Sequence, residues 1–444
     1  MTLSVLFDAS RLVSRADRTA PTGVDRVCLA YAEWLLSRSD LAVTAVRTRK
    51  EKLVALDPVW FRDCVRGLRA RWTGGASERA LTSDEQRLIA ALATPGRAPE
   101  SIMGTPPPPT VARTGAASRL WRFLSGPQPR QTSVLPDGAL YFNVGHTGLV
   151  DATILASLAA RGVERIVMLH DLIPITHPEF CRPGDGDKHR ERVLSTLRHA
   201  SRILVNSRYT AHELLAFAAR EGLDPPPIDA IHLGLEPSFV GARNGAPTGR
   251  YFVHVGTIEA RKNLAFLLTL WRRLAEQLGT EAPQLVLIGR YGWENEAVLD
   301  HLERSPPLRG LVHQASDLPD TVLADLMAGA CAVLAPSSVE GFDLPAVEAC
   351  ALGIPLIASD IPAHRELVPG ALLIDPLDGV GWLAAIEAAM RRPPETPPYS
   401  APSWSDHFAK VSGALGLDPV PGAVGTPPDQ PARAMGRIAS ASSS

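Results

Sequence analysis

Six short runs of the chain are apolar almost throughout: Arg165–Leu169 (RIVML), Arg202–Ser207 (RILVNS), Tyr251–Gly256 (YFVHVG), Gln284–Gly289 (QLVLIG), Cys331–Ser337 (CAVLAPS) and Ile354–Ser359 (IPLIAS). Each has the length of a strand and lacks polar alternation, which predicts strands buried on both faces of a parallel sheet. Leu3–Phe7 reads as a first strand. Helical patterns lie between these runs, such as NLAFLLTLWRRLAEQLG, where Asn263 is placed to cap and Gly279 to stop. Strand–helix alternation on this scale implies an α/β architecture. The pattern restarts at Tyr251 after the Gly/Pro-rich stretch GLEPSFVGARNGAPTGR, so two sheets are expected, with a boundary at 236–250.

The expected organisation is an N-terminal domain over 1–240, a second domain over 251–395, a last helix over 401–417 and a disordered tail over 418–444. A Pro-rich stretch at 93–135 reads as an insertion or mobile loop within the first domain.

Composition narrows the function classes. A length of 444 residues suits two domains, and 45% apolar content suffices for their cores. A net charge of -2 gives no global attraction to nucleic acid. No apolar run is long enough to span a bilayer, and MTLSVLFDASRLVSR lacks the pattern of a signal peptide. The five cysteines are scattered without CxxC spacing, which predicts neither disulfides nor a zinc site and suits a reducing cytoplasm.

Two stretches carry candidate chemistry. In HVGTIEARKNL, Gly256 lets the backbone turn closely after a strand, and Arg261 and Lys262 stand just ahead of a helix. Two cations beside a helix N-terminus suit an anion such as a diphosphate. The alternative is a solvated basic pair. In SSVEGFDLPAVEA, a loop carries Glu340, Pro345 suits a first helical turn, and Glu348 follows on the helix. The free N–H groups of Gly341, Phe342, Asp343 and Leu344 can meet hydroxyl or phosphate oxygens. The alternative makes Glu340 a capping carboxylate and Glu348 an exposed helix residue.

Glu340-x7-Glu348 within EGFDLPAVEA, preceded by VGTIEARKN and followed by GIPLIASD, resembles the donor half of the retaining enzymes of glycosyltransferase family 4. The resemblance is close over Tyr251–Ile374 and loose over most of the N-terminal half. It implies the GT-B fold, two Rossmann-like domains with parallel sheets facing across a cleft. It also implies that Glu340 meets the transferred sugar, Glu348 the ribose, and Arg261 and Lys262 the diphosphate. Asp343 departs from the small residue common in relatives, and a role capping the helix from Leu344 is expected for it.

The remaining motifs carry less. TAPTGVDRVCLAYAEWLL resembles the family's first loop and helix, with Gly23 letting the backbone approach the phosphate side of the cleft; the alternative is an ordinary loop. His170 ends a strand in IVMLHDLIPITHPEF, where α/β sheets place ligands, and the resemblance implies contact with the transferred sugar or acceptor. Its alternative is a hydrogen bond within the structure. Asp185-Gly186-Asp187 superficially matches a metal motif but is expected to be a solvated loop, and no metal is expected. Ala401–Leu415 resembles the family's crossover helix, with Trp404 packing.

The expected activity is transfer of a hexose, mannose or glucose type, from a nucleoside-diphosphate sugar to a glycan or lipid-linked glycan in bacterial surface polysaccharide synthesis. No separate cofactor is expected, and GDP-mannose is preferred over UDP-sugars as donor. The rivals are a non-hydrolysing sugar-nucleotide epimerase on the same scaffold and a non-catalytic glycan- or nucleotide-binding protein. Residues 60–130 hold eleven arginines against five acids, with aromatics in VWFRDCVRGLRARW and SRLWRFLSGPQPR. This mixture suggests peripheral binding to anionic lipid at the inner face of a membrane. The alternative is that the aromatics pack inward.

Overall fold

The computed structural model describes residues 2–49, 51–73, 81–94, 96–104, 135–241, 243, 249–293 and 295–417. Two sheets organise the chain. The first holds β1 (Leu3–Asp8), β2 (Leu41–Arg49), β3 (Lys52–Ala55), β4 (Leu140–Asn143), β5 (Glu164–Leu169), β6 (Arg202–Val205) and β7 (Ile228–Ala230), in the order β3-β2-β1-β4-β5-β6-β7. All its pairs are parallel except β2 with β3. The second holds β8 (Tyr251–Val255), β9 (Gln284–Ile288), β10 (Val312–Ala315), β11 (Ala332–Ala335), β12 (Leu356–Ser359) and β13 (Leu372–Ile374), in the order β10-β9-β8-β11-β12-β13. Its pairs are all parallel, with Val253 of β8 opposite Val333 of β11.

The second order is that of a doubly wound sheet, reversing between β8 and β11. Ligands bind outside the C-terminal ends of strands at such a reversal. The two loops singled out in the sequence, after Val255 and after Ala335, leave the sheet at this point.

Each sheet has an outer core of its own: Leu155, Val167 and Phe217 belong to the first, and Leu268, Trp271 and Trp382 to the second. A third apolar cluster runs continuously from Phe7, Tyr31 and Trp72 to Tyr251, Phe342 and Ala346, and so crosses between the domains. The helix Trp404–Ala414 joins this cluster: Phe408 stacks on Trp34 at 4.6 Å and 6°, and His407 Nε2 lies 2.9 Å from Tyr31 Oη. Trp404 packs beside Phe408 and His407.

The structure corrects three expectations. Residues 96–104, the first part of the stretch read as an insertion or mobile loop, lie along the β10 edge. Gln314 N–H donates to Ile102 O at 2.8 Å, Gly104 N–H donates to Gln314 O at 3.1 Å, and the Gln284 amide donates to Ala91 O, Thr94 O and Gly96 O. The remainder of that insertion, residues 105–134, lies outside the described residues, as do SRLWRFLSGPQPR and the tail 418–444.

Asp185-Gly186-Asp187 is not a loop but the first turn of the helix Asp185–His199, after Gly184 at φ 82°. The aromatic stripe of VWFRDCVRGLRARW faces inward: in the helix Pro58–Trp72, Phe61, Val65, Leu68 and Trp72 are buried. Arg69 is held by Glu33 and Glu236, and Arg66 by Asp63. Packing against the protein core competes for the same apolar face that bilayer insertion would need, so this helix has no face to insert.

Candidate active site

Gly256 follows the end of β8 at Val255, and a Cβ there would crowd the Lys262 side chain, coming within 2.9 Å of its Cε. The neighbouring strand is equally close, since a Cβ on Gly289 would meet Gly256 O at 1.8 Å. The chain then makes a short 3₁₀ turn, Ala260–Lys262, before the helix Leu264–Leu278. Asn263 does not cap that helix with its side chain. Its backbone is left-handed at φ 55°, and its amide donates to Pro376 O at 3.3 Å. Gly279, at φ 56°, ends the helix as expected. The second loop runs from Pro336 to the helix Leu344–Ala351, with Pro345 in its first turn. A backbone hydrogen bond from Ser338 N–H to Arg261 O, 2.8 Å, locks the two loops together.

Their side chains form a buried chain of alternating charge. Glu259 Oε1 lies 2.6 Å from Arg261 Nε, and Arg261 Nη1 lies 2.5 Å from Glu340 Oε2. Glu340 Oε1 lies 2.6 Å from Lys262 Nζ, which is 3.2 Å from Asp343 Oδ1. Asp343 Oδ2 lies 3.1 Å from His364 Nε2. Burial opposes every one of these charges. At Lys262 the Asp343 and Glu340 carboxylates outweigh it and hold the ammonium above its ordinary value. At Glu340, Arg261 and Lys262 outweigh it, so the carboxyl lies low. Asp343 also lies low against burial, through Lys262 and His364. His364 is raised because Asp343 overcomes the burial that would lower it. Of the three carboxyls in this charge chain only Glu259 is raised, its burial exceeding the help from Arg261 and Lys262.

Asp343 thus does not serve as a side-chain helix cap. Lys262 and His364 take its carboxylate, while its backbone carbonyl accepts from Ala346 and Val347 N–H. Glu340 and Glu348 are both buried, which rules out an exposed helix position for Glu348.

Glu348 stands apart from the charge chain. Burial pushes its carboxyl up to about 7, with Arg26 opposing and Asp320, Asp343 and Glu236 adding to the rise. Arg26, from the helix Gly23–Ser37 of the first domain, makes two 2.6 Å hydrogen bonds to Asp320 of the second.

The first domain closes tightly on these loops. Gly23 faces the other domain, where an added Cβ would lie 3.2 Å from Leu344 Cδ1. Gly341 is more constrained: a Cβ would come within 2.5 Å of His170 O, and Ser207 Oγ donates to Gly341 O at 2.8 Å. Phe342 belongs to the interdomain apolar cluster, its ring 5.9 Å from His232. His170 is buried with Nε2 2.9 Å from Val144 O, and burial lowers it to about 4, so the ring is neutral. The hydrogen bond within the structure that sequence offered as its alternative is therefore present.

The structure brings Arg261, Lys262, Glu340, Gly341 and Asp343 together with the His170 backbone. It adds residues that no motif announced. Glu259 lay within a quoted motif but carried no spacing signal. His364, Arg26, Asp320 and Glu366 are supplied by long-range packing. Glu366 accepts from Arg208 N–H at 2.8 Å and Tyr209 N–H at 2.9 Å, with His232 Nε2 at 2.8 Å, and so caps a first-domain helix from the second domain. Among the described residues no group of three or more His, Cys, Asp or Glu could hold a metal ion.

Residues 249–392 match the family described as glycosyl transferases group 1. This part of the chain is a group 1 glycosyl transferase domain. The chain is 28% identical over 238 residues to a serotype-specific mannosyltransferase of Escherichia coli, across 48% of this chain and 28% of that protein. It is 29% identical over 222 residues to the O-antigen chain mannosyltransferase B of Escherichia coli, across 48% of this chain and 58% of that protein. The chain thus spans little more than a quarter of the first relative and under two thirds of the second.

Among solved structures, Anabaena HepE in complex with UDP and glucose superposes with a TM-score of 0.56 at 14% identity, over 93% of this chain and 99% of that one. Sucrose-phosphate synthase from Thermosynechococcus elongatus gives 0.58 at 15% identity, over 93% and 98%. The group 1 domain therefore sits in a GT-B fold.

Proposed function

We propose that the protein is a retaining glycosyltransferase. It moves a hexose from a nucleoside-diphosphate sugar to a hydroxyl of a glycan or lipid-linked glycan in bacterial surface polysaccharide synthesis. The observation that carries this reading is the Arg261–Glu340–Lys262 arrangement at the sheet reversal, two cations held ready by one carboxylate. Arg261 and Lys262 stabilise the diphosphate as it leaves. Glu340 receives hydroxyls of the transferred sugar, and Glu348 those of the ribose. The new bond joins the acceptor oxygen to the anomeric carbon, the bond from that carbon to the diphosphate breaks, and the acceptor proton passes to the departing phosphate oxygen. Closure of the domains limits water and hence hydrolysis.

The relatives named mannosyltransferases favour mannose as the transferred sugar, and the reading takes GDP-mannose as donor ahead of UDP-sugars. The reading includes peripheral attachment to an anionic inner-membrane surface, by charge and without insertion. A nucleotide-sugar panel read by thermal shift tests the donor, since a ligand at 100 times its dissociation constant stabilises by about 2.7 kcal/mol. Transfer to a glycan acceptor should then proceed in excess EDTA. Conversion of the nucleotide sugar with no acceptor present would instead identify the epimerase. Binding without any turnover would leave a non-catalytic protein.

A further inference from the structure

The loop after β9 grips the first domain at two places. Arg290 Nη2 donates to Thr19 Oγ1 at 3.0 Å, and Thr19 Oγ1 donates to Asp317 Oδ1 at 2.9 Å. Arg290 Nε lies 2.7 Å from the same Asp317 oxygen. Farther along the loop, Trp293 Nε1 donates to Phe180 O at 3.1 Å, and the Arg182 guanidinium stands 5.2 Å from the centre of the Trp293 ring. The two gripped segments are far apart in sequence: Thr19 precedes the helix Gly23–Ser37, and residues 180–182 follow the end of β5. One short loop of the second domain therefore bridges both.

This loop is fastened to the loop that carries Arg261 and Lys262. Ile258 N–H donates to Arg290 O, and Gly292 N–H donates back to Ile258 O, each at 2.9 Å. Arg261, Lys262 and Trp293 are thus carried by one hydrogen-bonded pair of loops. Across the cleft, Cys181 lies between the two residues that meet Trp293. Burial pushes its thiol up to about 11, with Asp171, Asp185 and Glu259 adding to the rise and Arg261 opposing. The thiol therefore senses the charges around Arg261, and the Trp293 contact stands at the edge of that site. Trp293 has no part in the charge pairs themselves, so its task is a different one.

We infer that residues 290–293 form a clasp that seals the cleft over the diphosphate, and that Trp293 is the positioning residue that sets how the donor divides between acceptor and water. The inference rests on the transferase reading. Hydrolysis is the competing reaction: the water oxygen joins the anomeric carbon, the bond from that carbon to the diphosphate breaks, and a water proton leaves with the phosphate. A large ring held between two domains keeps water from the face it covers. Trp suits the place because its ring takes the Arg182 cation while its N–H satisfies the Phe180 carbonyl. Arg290 does not substitute for it, because Thr19 is exposed and that contact is polar and open to water.

The test compares the full chain with its Trp293→Ala, Trp293→Phe and Arg182→Ala variants on the nucleoside-diphosphate sugar that the thermal-shift panel selects. With no acceptor present, Trp293→Ala should release free sugar about tenfold faster than wild type, and the other two variants should do so by less. Nucleoside-diphosphate affinity should stay within about twofold of wild type, since Trp293 lies outside the charge pairs. Loss of folded protein lowers hydrolysis, so a rise separates the clasp from a merely structural role. Iodoacetamide labelling of Cys181, read by peptide mass spectrometry, reports the seal without turnover and should speed up by about tenfold in Trp293→Ala. Hydrolysis that is unchanged or slower in Trp293→Ala overturns the role in partition, and unchanged labelling overturns the seal. Failure of the transferase reading looks different: labelling accelerates as expected, and neither wild type nor variant consumes any donor.

Discussion

Lys262 Nζ lies 2.6 Å from Glu340 Oε1, with the two side chains only 5% and 7% exposed. Removing one member of a buried pair leaves an uncompensated charge, at about 3–5 kcal/mol. Lys262→Ala strips Glu340 and Asp343 of a shared cation, whereas Glu340→Gln leaves Lys262 with Asp343 and Arg261 with Glu259. Lys262→Ala should therefore be the more destabilising change in urea denaturation. It should also weaken nucleoside-diphosphate binding more than monophosphate binding in calorimetry. Equal losses for the two nucleotides would place the phosphates elsewhere.

Glu348 predicts a pH dependence of nucleotide binding. Its carboxyl is raised to about 7 by burial, so the folded chain holds a proton there that an unfolded chain releases near 4.3. The stability linked to that proton is full below the unfolded value and is lost as pH rises through about 7. A ribose contact needs the carboxylate, so nucleotide affinity should rise between about pH 6 and about pH 8, with release of a proton on binding. Titration calorimetry in buffers of different ionisation enthalpy measures that release. Glu348→Gln should abolish it, and a flat wild-type profile would remove Glu348 from the ribose site.

Much of the fold was legible because strands buried on both faces announce themselves as apolar runs. All six runs are strands. One missed strand, β4, is buried throughout, but its run, LYFN, is only four residues long and ends in Asn143. The other missed strands each had another cause. β2 and its antiparallel partner β3 mix buried and exposed positions. In β10, the polar pair His313 and Gln314 hydrogen-bonds to Gln284 and to the segment at Ile102. β7 and β13 are three residues long. At the site, Arg261–Lys262 and Glu340–Glu348 were readable because each lies in one continuous motif. Asp343 was misread because its place before a helix suggests capping, and only the fold brings Lys262 and His364 to compete for it. Glu366 and His232 are 134 positions apart, a separation that no local pattern records.

His364 makes the second titration prediction. Asp343 holds it above its ordinary value despite burial, so its contribution to stability is complete below about 6.5 and is lost as pH rises through the raised value. The stability difference between the wild type and His364→Gln, measured in urea, should be largest near pH 6 and should shrink above neutrality. Glu348 titrates in both proteins and largely cancels from the difference. A difference that grows with pH would mean that His364 is neutral beside Asp343.

The helix Pro58–Trp72 decides how a membrane could be met. Arg62, Arg66 and Arg71 are exposed on it, and its aromatic side chains are wholly or partly buried. Each cation near an anionic surface contributes about 1 kcal/mol. Co-sedimentation with anionic vesicles should fall with salt and with Arg62, Arg66 and Arg71 changed together to Glu. Trp60→Ala should leave it unaltered, and a strong loss there would restore insertion. Absence of sedimentation at low salt would remove the membrane from the reading.

Arg26 and Asp320 join the domains by two 2.6 Å hydrogen bonds, with side chains 14% and 1% exposed. The guanidinium also stands 5.7 Å from the centre of the Phe239 ring. Burial opposes its charge, and the hydrogen bonds to Asp320 more than restore it, with Glu348 and Glu236 adding attraction. The two single changes should therefore be unequal. Asp320→Ala leaves Arg26 near two carboxylates, whereas Arg26→Ala leaves Asp320 and Glu348 buried with no cation between them. Arg26→Ala should be the more destabilising, should raise Glu348 further and so weaken nucleotide binding at neutral pH, and should increase the radius of gyration in solution scattering as the domains part. A double-mutant cycle should give a coupling of about 0.5–3 kcal/mol, as expected for residues in direct contact. Additive effects with an unchanged radius of gyration would mean that the apolar cluster, Glu366 and the other hydrogen bonds between the domains hold them together without this pair.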